Sequence, residues 1–416
     1  EAVFGIDLAP GVGASSNASG RAATRRLSLG LVGTLSSRLH GLELSFGANI
    51  QRVSVCGAQI ALGANIARGP VHGLQYASFN LAKGELRGAQ LGMANITAGR
   101  FDGVQAGMLN VTTGELHGPQ PGIANYIGGA LHGPQAGIAN YVGRGLTGVQ
   151  AGVANFAGGR VTGVQAGVAN VNAGGVHGLQ AGVANYAGGV RGLEAGVANL
   201  SIGKIEGAQI GVFNLATGGV GGAQIGVANI SAREVRGVQF GVVNYAERSK
   251  ASIGLLSIVP HGRTSFDLTG AVESGTLIAA VTHGGEYVHN TYGLGMRTGK
   301  DGQRLAVQVG IGVRVLHLPR VHLDVEAIET HYVKDWNSSA HGQRTFVPGG
   351  RVPLTLVLVG GLGLMIAPSY QVMITQDAAE RTQSIFGQHT FHNGKTRTIG
   401  YPGLTLGLRW EFDHGV

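Results

Sequence analysis

A short repeat dominates the sequence. Between Leu42 and Tyr245 the pattern Gly-x-Gln-x-Gly-x-x-Asn occurs about fourteen times, most plainly in residues 148–155 and 163–170. Most copies are fifteen residues apart, and one copy is a residue shorter, with the loss near Gly188–Gly189. A fixed period of this length indicates a repeat architecture and takes precedence over local secondary-structure signals. Because a turn can absorb a deletion, the shortened copy also predicts a turn at the glycine pair.

The apolar positions of the unit predict which side chains form its core. We number the residue before Gln as position zero, so that Gln is position one and Asn is position six. Positions zero, two and four are apolar, as in Val149, Ala151 and Val153, which is the period-two pattern of a strand with one buried face. Positions seven and twelve are also apolar, as in Phe156 and Val161. We therefore expect positions zero, two, four, seven and twelve to point inward and Gln to lie on a flat outer face.

A parallel β-solenoid is the architecture that these patterns favour. Each unit would be one coil, stacked about 4.8 Å above the last, and Asn would form a ladder at a corner that links successive coils. Gln would bond between coils, or its face would dock a protein or glycan partner. The asparagines of the expected ladder are Asn65, Asn80, Asn95, Asn110, Asn125, Asn140, Asn155, Asn170, Asn185, Asn199, Asn214, Asn229 and Asn244, and the glutamines are Gln75, Gln90, Gln105, Gln120, Gln135, Gln150, Gln165, Gln180, Gln209, Gln224 and Gln239.

One large antiparallel transmembrane β-barrel that includes the repeats is the alternative. In that architecture one face of each strand would place a Gln such as Gln150 in lipid, and the other face offers too few apolar residues for a membrane band about 25 Å tall. Pro119, Pro121 and Pro134 would each remove a backbone donor where no water could replace it. These observations favour the solenoid, and the large barrel stays open as an alternative.

The chain outside the repeat predicts a smaller barrel. From Ser265 onward the sequence alternates in longer strands without a period, and the last of them is the most informative. One face carries Thr405, Gly407, Arg409 and Glu411, a polar inner face, and the other is fully apolar with an aromatic end, as a membrane barrel requires. The residues expected to face the membrane are Leu404, Leu406, Leu408, Trp410 and Phe412.

Domain boundaries follow from these patterns. We expect residues 42–260 to form the solenoid, and residues 1–41 and 261–416 to supply the N-terminal and C-terminal strands of a barrel of roughly eight to ten strands. Asp324 and Glu326 have the same strand parity and are expected in the barrel lumen. Residues 332–351 and 376–400 form two long, polar segments, which are typical of extracellular loops.

Two resemblances point to the bacterial envelope. The segment from Gly403 to Phe412 resembles the C-terminal strand of outer-membrane barrels, which the assembly machinery of that family reads, although here four residues follow Phe412. The repeat, with its strand-rich C-terminal region, resembles bacterial surface repeat proteins found in spirochaetes and Bacteroidetes. The second resemblance covers about half the chain and implies a location at the cell envelope, with no activity and no catalytic residues. The strand-like start at Val3 further predicts a mature form whose leader has been removed.

Composition and motifs narrow the function. Only 12% of residues are charged, which suits a surface partly in lipid, and the net charge of +8 favours anionic lipid or lipopolysaccharide as a partner. Nucleic acid is not expected, because Lys and Arg do not form a run. The lone Cys56 is expected in the core. His117 and His132 should be stacked neighbours on the outer face. We expect them to be simply exposed to solvent, and metal binding by the pair is the less favoured interpretation.

We therefore expect an outer-membrane-anchored structural or interaction protein of the cell surface. No catalytic residues are predicted, because the sequence does not offer a nucleophile, a base and an orienting residue that belong together. No cofactor and no metal site are predicted either. The alternative function is a channel or porin-like transporter in which the repeats are themselves membrane strands.

Overall fold

The chain is an all-β protein. The computed structural model describes residues 2–13, 24–299, 302–333, 345–376 and 384–412. It contains a parallel β-solenoid of about 16 turns and a closed antiparallel barrel of eight strands, with 77% strand and no helix. The predicted fold class is confirmed, and the single large barrel is not the fold. The described residues include no helix long and apolar enough to cross a membrane. The chain divides into two compact units, Glu1–Val212 and Phe213–Val416.

Twenty-five strands build the solenoid coils of the two units. They are β1 (Ala2–Ala9), β2 (Val12–Gly13), β3 (Thr24–Gly30), β4 (Gly33–Ser45), β5 (Ala48–Ala61), β6 (Ala64–Ala67), β7 (Val71–Tyr76), β8 (Phe79–Ala82), β9 (Leu86–Leu91), β10 (Ala94–Thr97), β11 (Phe101–Ala106), β12 (Leu109–Thr112), β13 (Leu116–His117), β14 (Gln120–Pro121), β15 (Ala124–Ile127), β16 (Leu131–His132), β17 (Gln135–Val142), β18 (Leu146–Ala157), β19 (Val161–Asn172), β20 (Val176–Ala187), β21 (Val190–Ser201), β22 (Ala208–Ala216), β23 (Ala223–Phe240), β24 (Val243–Ile253) and β25 (Leu256–Ile258).

Within each unit, a coil stacks in register on its neighbour. In β18 and β19, Gln150 pairs with Gln165 and Asn155 with Asn170, all in parallel. The glycine at position fourteen adopts positive φ in most coils, as Gly148 does at 137°. A Cβ atom there would lie 2.4 Å from the carbonyl oxygen of Gly133 in the coil below. Both the backbone conformation and the close approach therefore require glycine.

The predicted inward face of the coil is largely wrong. Gln150 is fully buried, whereas Val149 and Val153 are 42% and 50% exposed, so the alternating apolar residues of positions zero and four point outward. Position twelve is buried as predicted, and position eight, as in Ala157, is buried opposite it. The parity reverses because the chain bends between Gly152 and Asn155, which places Asn inside instead of continuing the strand. The core is therefore narrow: position twelve faces position eight, with Gln and Asn beside them.

The prediction that residues 1–41 supply barrel strands is also wrong. β1 pairs in parallel with β3, and β3 pairs in parallel with β4, so these strands belong to the first solenoid coils. Their short alternating pattern suits a parallel coil as well as a barrel strand. Asp7 and Arg25 form a buried ion pair at 2.5 Å inside these first coils. The last solenoid strand ends at Ile258, next to the predicted boundary at 260.

Residues 263–412 form the barrel without help from the N-terminus. Its strands are β26 (Arg263–Ala271), β27 (Thr276–Gly284), β28 (Val288–Gly299), β29 (Gly302–His317), β30 (Val321–Val333), β31 (Thr345–Arg351), β32 (Leu354–Val359), β33 (Leu362–Thr375), β34 (His389–Asn393) and β35 (Thr396–Phe412). β31 and β32 act as one interrupted strand, and β34 only extends β35 as a hairpin. Antiparallel pairing of β26 with β35 closes the ring.

The two ends of the barrel differ in the length of their connections. At one end, called the short-turn end, the connections are 285–287, 318–320 and 360–361, and both the start of β26 and the end of β35 lie there. At the other end, called the long-segment end, the connections include 334–344 and 376–388. The apolar stretch from Pro353 to Ile366 alternates like one strand but forms two, because Gly360 and Gly361 turn with positive φ. The predicted loop residues Trp336 to Ser339 lie outside the described residues.

Candidate functional site

A network of ion pairs fills the barrel lumen on its short-turn side. Its centre is Arg409, which is 1% exposed and donates to Asp267 through Nε and Nη2, both at 2.8 Å. Arg409 Nη1 also donates to Asp324 Oδ2 at 2.7 Å. Arg314 binds the same aspartate through Nε at 2.7 Å and reaches Glu411 at 2.9 Å. One chain of charges thus joins β26, β29, β30 and β35.

Glu326 anchors the other half of the network. Arg351 Nε donates to Glu326 Oε2 at 2.6 Å, and His289 Nε2 lies 3.3 Å from Glu326 Oε1. Arg409 Nη2 is 3.6 Å from the same oxygen. Asp324 and Glu326 therefore face the lumen, as the strand parity predicts.

Strand register explains how the pairs arise. Asp267 lies directly across from Arg409, Arg314 from Asp324, and Glu326 from Arg351. Residues directly opposite each other on antiparallel strands have neighbouring Cβ atoms, so each pair forms across one ladder rung. Since a buried charge is costly unless paired, the register and the network support each other.

The lumen network is not an open metal site. The ligand atoms of His289, Asp324 and Glu326 lie within 4.8 Å of one another, which is a metal-binding spacing. Each carboxylate of this trio already pairs with guanidinium groups, however, so its charge is compensated without a metal ion. The carboxylates and guanidinium groups of this cluster therefore compensate one another's charge.

Bulky side chains fill the lumen on its long-segment side. Tyr332, Val347, Met373 and Tyr401 are buried together there, and Tyr401 Oη donates to Gln371 at 3.0 Å. The enclosed cavity beside them, lined by residues such as Gln371, has a volume of about 10 Å³. A cavity of this size holds about one water molecule. Ion pairs on the short-turn side and bulky side chains on the long-segment side therefore occupy the described lumen.

The outer face of the barrel is apolar, whereas its interior is polar and charged. On β33 the outward residues run Leu362, Leu364, Ile366, Pro368, Tyr370, Val372 and Ile374, all apolar and mostly exposed. Of the predicted membrane-facing residues, Leu406, Leu408, Trp410 and Phe412 are 41–52% exposed and Leu404 is half-buried. The rings of Trp410 and Phe412 stack with centroids 5.4 Å apart. We call this surface the apolar belt.

The height of the apolar belt can be estimated from β33. From Leu362 to Ile374 the strand rises about 40 Å at about 3.3 Å per residue. At a strand tilt of about 40° this gives about 30 Å along the barrel axis. A membrane barrel carries an apolar band about 25 Å tall.

In each of the two units, the structure places the predicted asparagines in a buried ladder. Asn155 Nδ2 donates to Asn170 Oδ1 at 2.9 Å and to the Ala166 carbonyl at 2.8 Å. The same side-chain bond, at 2.8–2.9 Å, recurs along both units. Each amide thus bonds its neighbours above and below, which is how a polar group is buried without cost.

The glutamines form a second ladder inside the coil, not the predicted outer face. Gln165 Nε2 donates to Gln150 Oε1 at 2.8 Å, and the bond repeats from Gln75 to Gln180 at 2.6–2.9 Å. Glutamines donate toward the preceding coil and asparagines toward the following one, so the two rows of dipoles oppose each other. The predicted docking face of glutamines is therefore absent; the exposed face carries the position-four valines.

Position thirteen forms an outward column of polar side chains. His117 and His132 are neighbours in this column, as predicted, with ring centroids 4.7 Å apart and ring planes at 80° to each other, and His117 Nδ1 lies 3.2 Å from Asp102. Cys56, predicted to be core, is exposed in the same column, in register between His40 and His72. The sequence pattern around Cys56 predicts a small apolar core residue, whereas the strand register places it in the outward column.

The last coil attaches to the short-turn end of the barrel within the second unit. The backbone amides of Glu286 and Tyr287 donate to Ser249 and Lys250 at 2.7 and 2.9 Å. Asn290 Nδ2 donates to the Gly254 carbonyl at 2.7 Å, and the Tyr292 hydroxyl donates to Leu255. Two of these four hydrogen bonds join backbone groups, so the attachment is independent of the side-chain conformations of the residues that make them.

Comparison with known proteins gives no relative. No protein-family model, no curated protein and no solved structure matches the chain.

Proposed function

We propose that this protein is an outer-membrane-anchored structural or interaction protein of the bacterial envelope, without catalytic activity. The observation that carries the proposal is the reversed polarity of the barrel. Charged side chains fill its lumen, and the apolar belt covers its outside, an arrangement that water would disfavour and lipid would favour. Outer-membrane lipid and lipopolysaccharide are the partners that such a surface fits.

The packed lumen supports an anchor over the alternative channel. The ion-pair network and the buried tyrosines leave a cavity of about 10 Å³. An eight-stranded barrel has an interior just wide enough for side chains to fill. The repeats, moreover, form a solenoid and not membrane strands, which removes the wide pore that a transport function would use. The solenoid is the part that we propose to act in structure or interaction, with a protein or glycan as its partner.

A matched pair of substitutions tests whether the apolar belt faces lipid. Ile366 on β33 and Val149 on the solenoid have almost equal exposure, 44% and 42%. In lipid vesicles, Ile366→Lys is expected to destabilise the barrel by about 2–4 kcal/mol, because a lysine near mid-membrane is costly. Val149→Lys is expected to change stability by at most about 0.5 kcal/mol, as an exposed surface substitution does. Urea unfolding in vesicles measures both.

Cell fractionation supplies the second readout. The wild-type protein is expected in the outer-membrane fraction, and Ile366→Lys is expected to be depleted from it relative to Val149→Lys. Equal behaviour of the two variants, with the wild type in the soluble fraction, would refute the anchor. Steady single-channel conductance of the purified protein in planar bilayers would instead support the channel.

A further inference from the structure

We propose that the solenoid coils of the second unit, Phe213–Ile258, lie on the periplasmic side of the outer membrane. This inference rests on the proposed membrane anchor and adds to it the side on which the attached coils act. Their partner would then be a component of the periplasm and not of the surroundings of the cell.

The barrel connections give the direction. Outer-membrane barrels have short turns on the periplasmic side and longer loops outside. Here the connections 285–287, 318–320 and 360–361 share one end, and 272–275, 300–301, 334–344 and 376–388 share the other, so connections of more than ten residues occur only at that second end. The short-turn end is therefore the periplasmic end.

The coils are fixed to that same end. The chain leaves β25 at Ile258 and enters β26 at Arg263, which lies at the short-turn end. Four connecting residues cannot span a membrane, since a fully extended chain covers at most about 3.6 Å per residue. The hydrogen bonds from Glu286, Tyr287 and Asn290 hold the last coil against the same end.

The packed lumen supports the same assignment. If the coils lay on the outer side, the chain that precedes Arg263 would have to cross the membrane through the barrel lumen during assembly. The lumen is closed by the Arg409 network and by Tyr332, so the barrel offers no route for it.

Two single-cysteine reporters test the sidedness. In a Cys56→Ser background, Ala232→Cys places a thiol on an exposed coil position, and Asn393→Cys places one on the exposed β34–β35 hairpin at the long-segment end. Cells expressing each variant are treated with a membrane-impermeant maleimide before and after the outer membrane is permeabilised. Labelling of the denatured proteins corrects for intrinsic reactivity.

The expected result is labelling of Asn393→Cys in intact cells and at least tenfold weaker labelling of Ala232→Cys until permeabilisation. Strong labelling of Ala232→Cys in intact cells, or protection of Asn393→Cys, would overturn the proposed sidedness. Fractionation of the same cells separates this failure from failure of the anchor. If the protein is absent from the outer-membrane fraction, it is the proposed function that fails.

An independent observation in the first unit concerns Glu194. We infer that Glu194 is held as the neutral acid and that its Oε1–H donates to Gln180 Oε1, so that a proton replaces one amide in the glutamine ladder. Glu194 pairs in register with Gln180 and occupies the position that Gln has in the neighbouring coils. Its Oε2 accepts a hydrogen bond from Gln209 at 2.7 Å.

The pattern of unsatisfied atoms identifies the missing proton. Gln180 Oε1 and Glu194 Oε1 are both buried, and neither has a hydrogen-bond donor among the residues that the structure describes. In the other coils a glutamine amide donates at this point, as Gln180 does to Gln165 at 2.8 Å. An ionised carboxylate has no donor, whereas a carboxylic acid has one. One proton therefore satisfies both oxygens.

The surroundings of Glu194 contain no compensating charge. Gln180 lies in register with Glu194 and Gln209 donates to it, and the buried polar side chains that follow on its own coil, Asn199 and Ser201, are neutral as well. The charged groups of these coils, Arg191, Lys204 and Glu206, are exposed on the outside and pair with one another. Burial raises the pKa of the Glu194 carboxyl to about 7, and the hydrogen bond from Gln209 only partly opposes this.

Glu43 provides a matched control. It also occupies the glutamine column and is fully buried, but its oxygens accept hydrogen bonds from Thr34 at 2.6 Å, from Gln51 at 2.8 Å and from Gln59 at 2.9 Å. Donors therefore surround both oxygens of Glu43, whereas Glu194 Oε1 has none among the described residues.

The pH dependence has a definite sign. The folded pKa of Glu194 lies above its ordinary value of 4.5, so the folded state binds the proton more tightly than the unfolded state. Stability from this group is complete at low pH and falls as pH rises from about 4.5 to about 7, where it levels off. The pKa difference corresponds to a factor of about 300 in the opening equilibrium of this coil.

Hydrogen exchange of the full-length protein in detergent, corrected for intrinsic rates, measures this opening. Protection of residues 190–201 is expected to fall about 300-fold across that range in the wild type and to stay level in Glu194→Gln. Glu43→Gln is expected to keep the wild-type dependence. A wild type that shows no infrared band of a buried carboxylic acid at pH 6 would overturn the inference. So would protection that depends on added potassium instead of pH, since a cation would then join the oxygens.

Discussion

Replacing Arg409 by methionine is expected to destabilise the barrel by about 3–5 kcal/mol, measured by urea unfolding in lipid vesicles. Methionine keeps much of the volume but removes the cation shared by Asp267 and Asp324, whose bonds to Arg409 are 2.7–2.8 Å long. Breaking a buried ion pair by removing one partner costs this much because the other charge stays buried and unpaired. Asp267 keeps only hydroxyl donors, at 3.0 and 3.1 Å.

An exposed arginine gives the control for Arg409. Arg236 pairs with Glu234 at 2.8 Å, but its side chain is 68% exposed. Surface ion pairs contribute about 0–1 kcal/mol, so Arg236→Met should unfold almost as the wild type does. Adding Asp267→Asn to Arg409→Met should recover part of the loss, because it removes the unpaired charge. If Arg409→Met proves no more damaging than Arg236→Met, the network is not what holds the lumen.

The last barrel strand shows what sequence patterning can predict. The alternation from Leu404 to Phe412 correctly separates the outward apolar residues from Thr405 and Arg409 inside. Strand parity alone carries this information, because successive side chains of a strand point to opposite faces. The acidic partners of Arg409 lie on distant strands, at separations of 85 and 142 residues. Only the barrel register brings them together, and no local pattern reveals it.

The repeat shows where patterning fails. Its period is sufficient to predict stacked coils, yet its alternation predicts the valines of positions zero and four in the core and the glutamines on the surface. That assignment treats polarity as a guide to exposure. In a solenoid, each buried amide has an identical amide in the coils above and below, so its hydrogen bonds are satisfied inside. The bend after Gly152 then reverses parity, and it cannot be seen in a pattern that also fits one straight strand.

The N-terminus and Gly360–Gly361 illustrate two further limits. Short alternating segments such as Val3–Leu8 fit a parallel coil and an antiparallel barrel equally well, because the side-chain period is the same in both. The apolar run from Pro353 to Ile366 looks continuous, but two adjacent glycines with positive φ form a turn within it. Pairing partners decide both cases, and a single sequence does not contain them.

The asparagine ladder should respond to mutation as a chain of shared bonds. Asn155→Ala removes the bonds to Asn170 and Ala166 and the bond accepted from Asn140, each at 2.8–2.9 Å. At roughly 1 kcal/mol per lost bond, with buried partners left unsatisfied, the expected loss is about 3 kcal/mol. Val153→Ala, on the outside of the same coil and 50% exposed, should cost much less. Hydrogen exchange of the amides in residues 146–172 measures both locally.

Double substitutions separate a ladder from independent sites. Asn155 and Asn170 share one bond, so Asn155→Ala with Asn170→Ala should cost about 1 kcal/mol less than the sum of the single effects. Asn110 and Asn170 share no bond, since their ladder partners are Asn95 and Asn125 for one and Asn155 and Asn185 for the other. Their effects should add within about 0.5 kcal/mol. Strict additivity of the adjacent pair would mean that the asparagines act only through their own coil, and the column would then carry no stabilisation from one coil to the next.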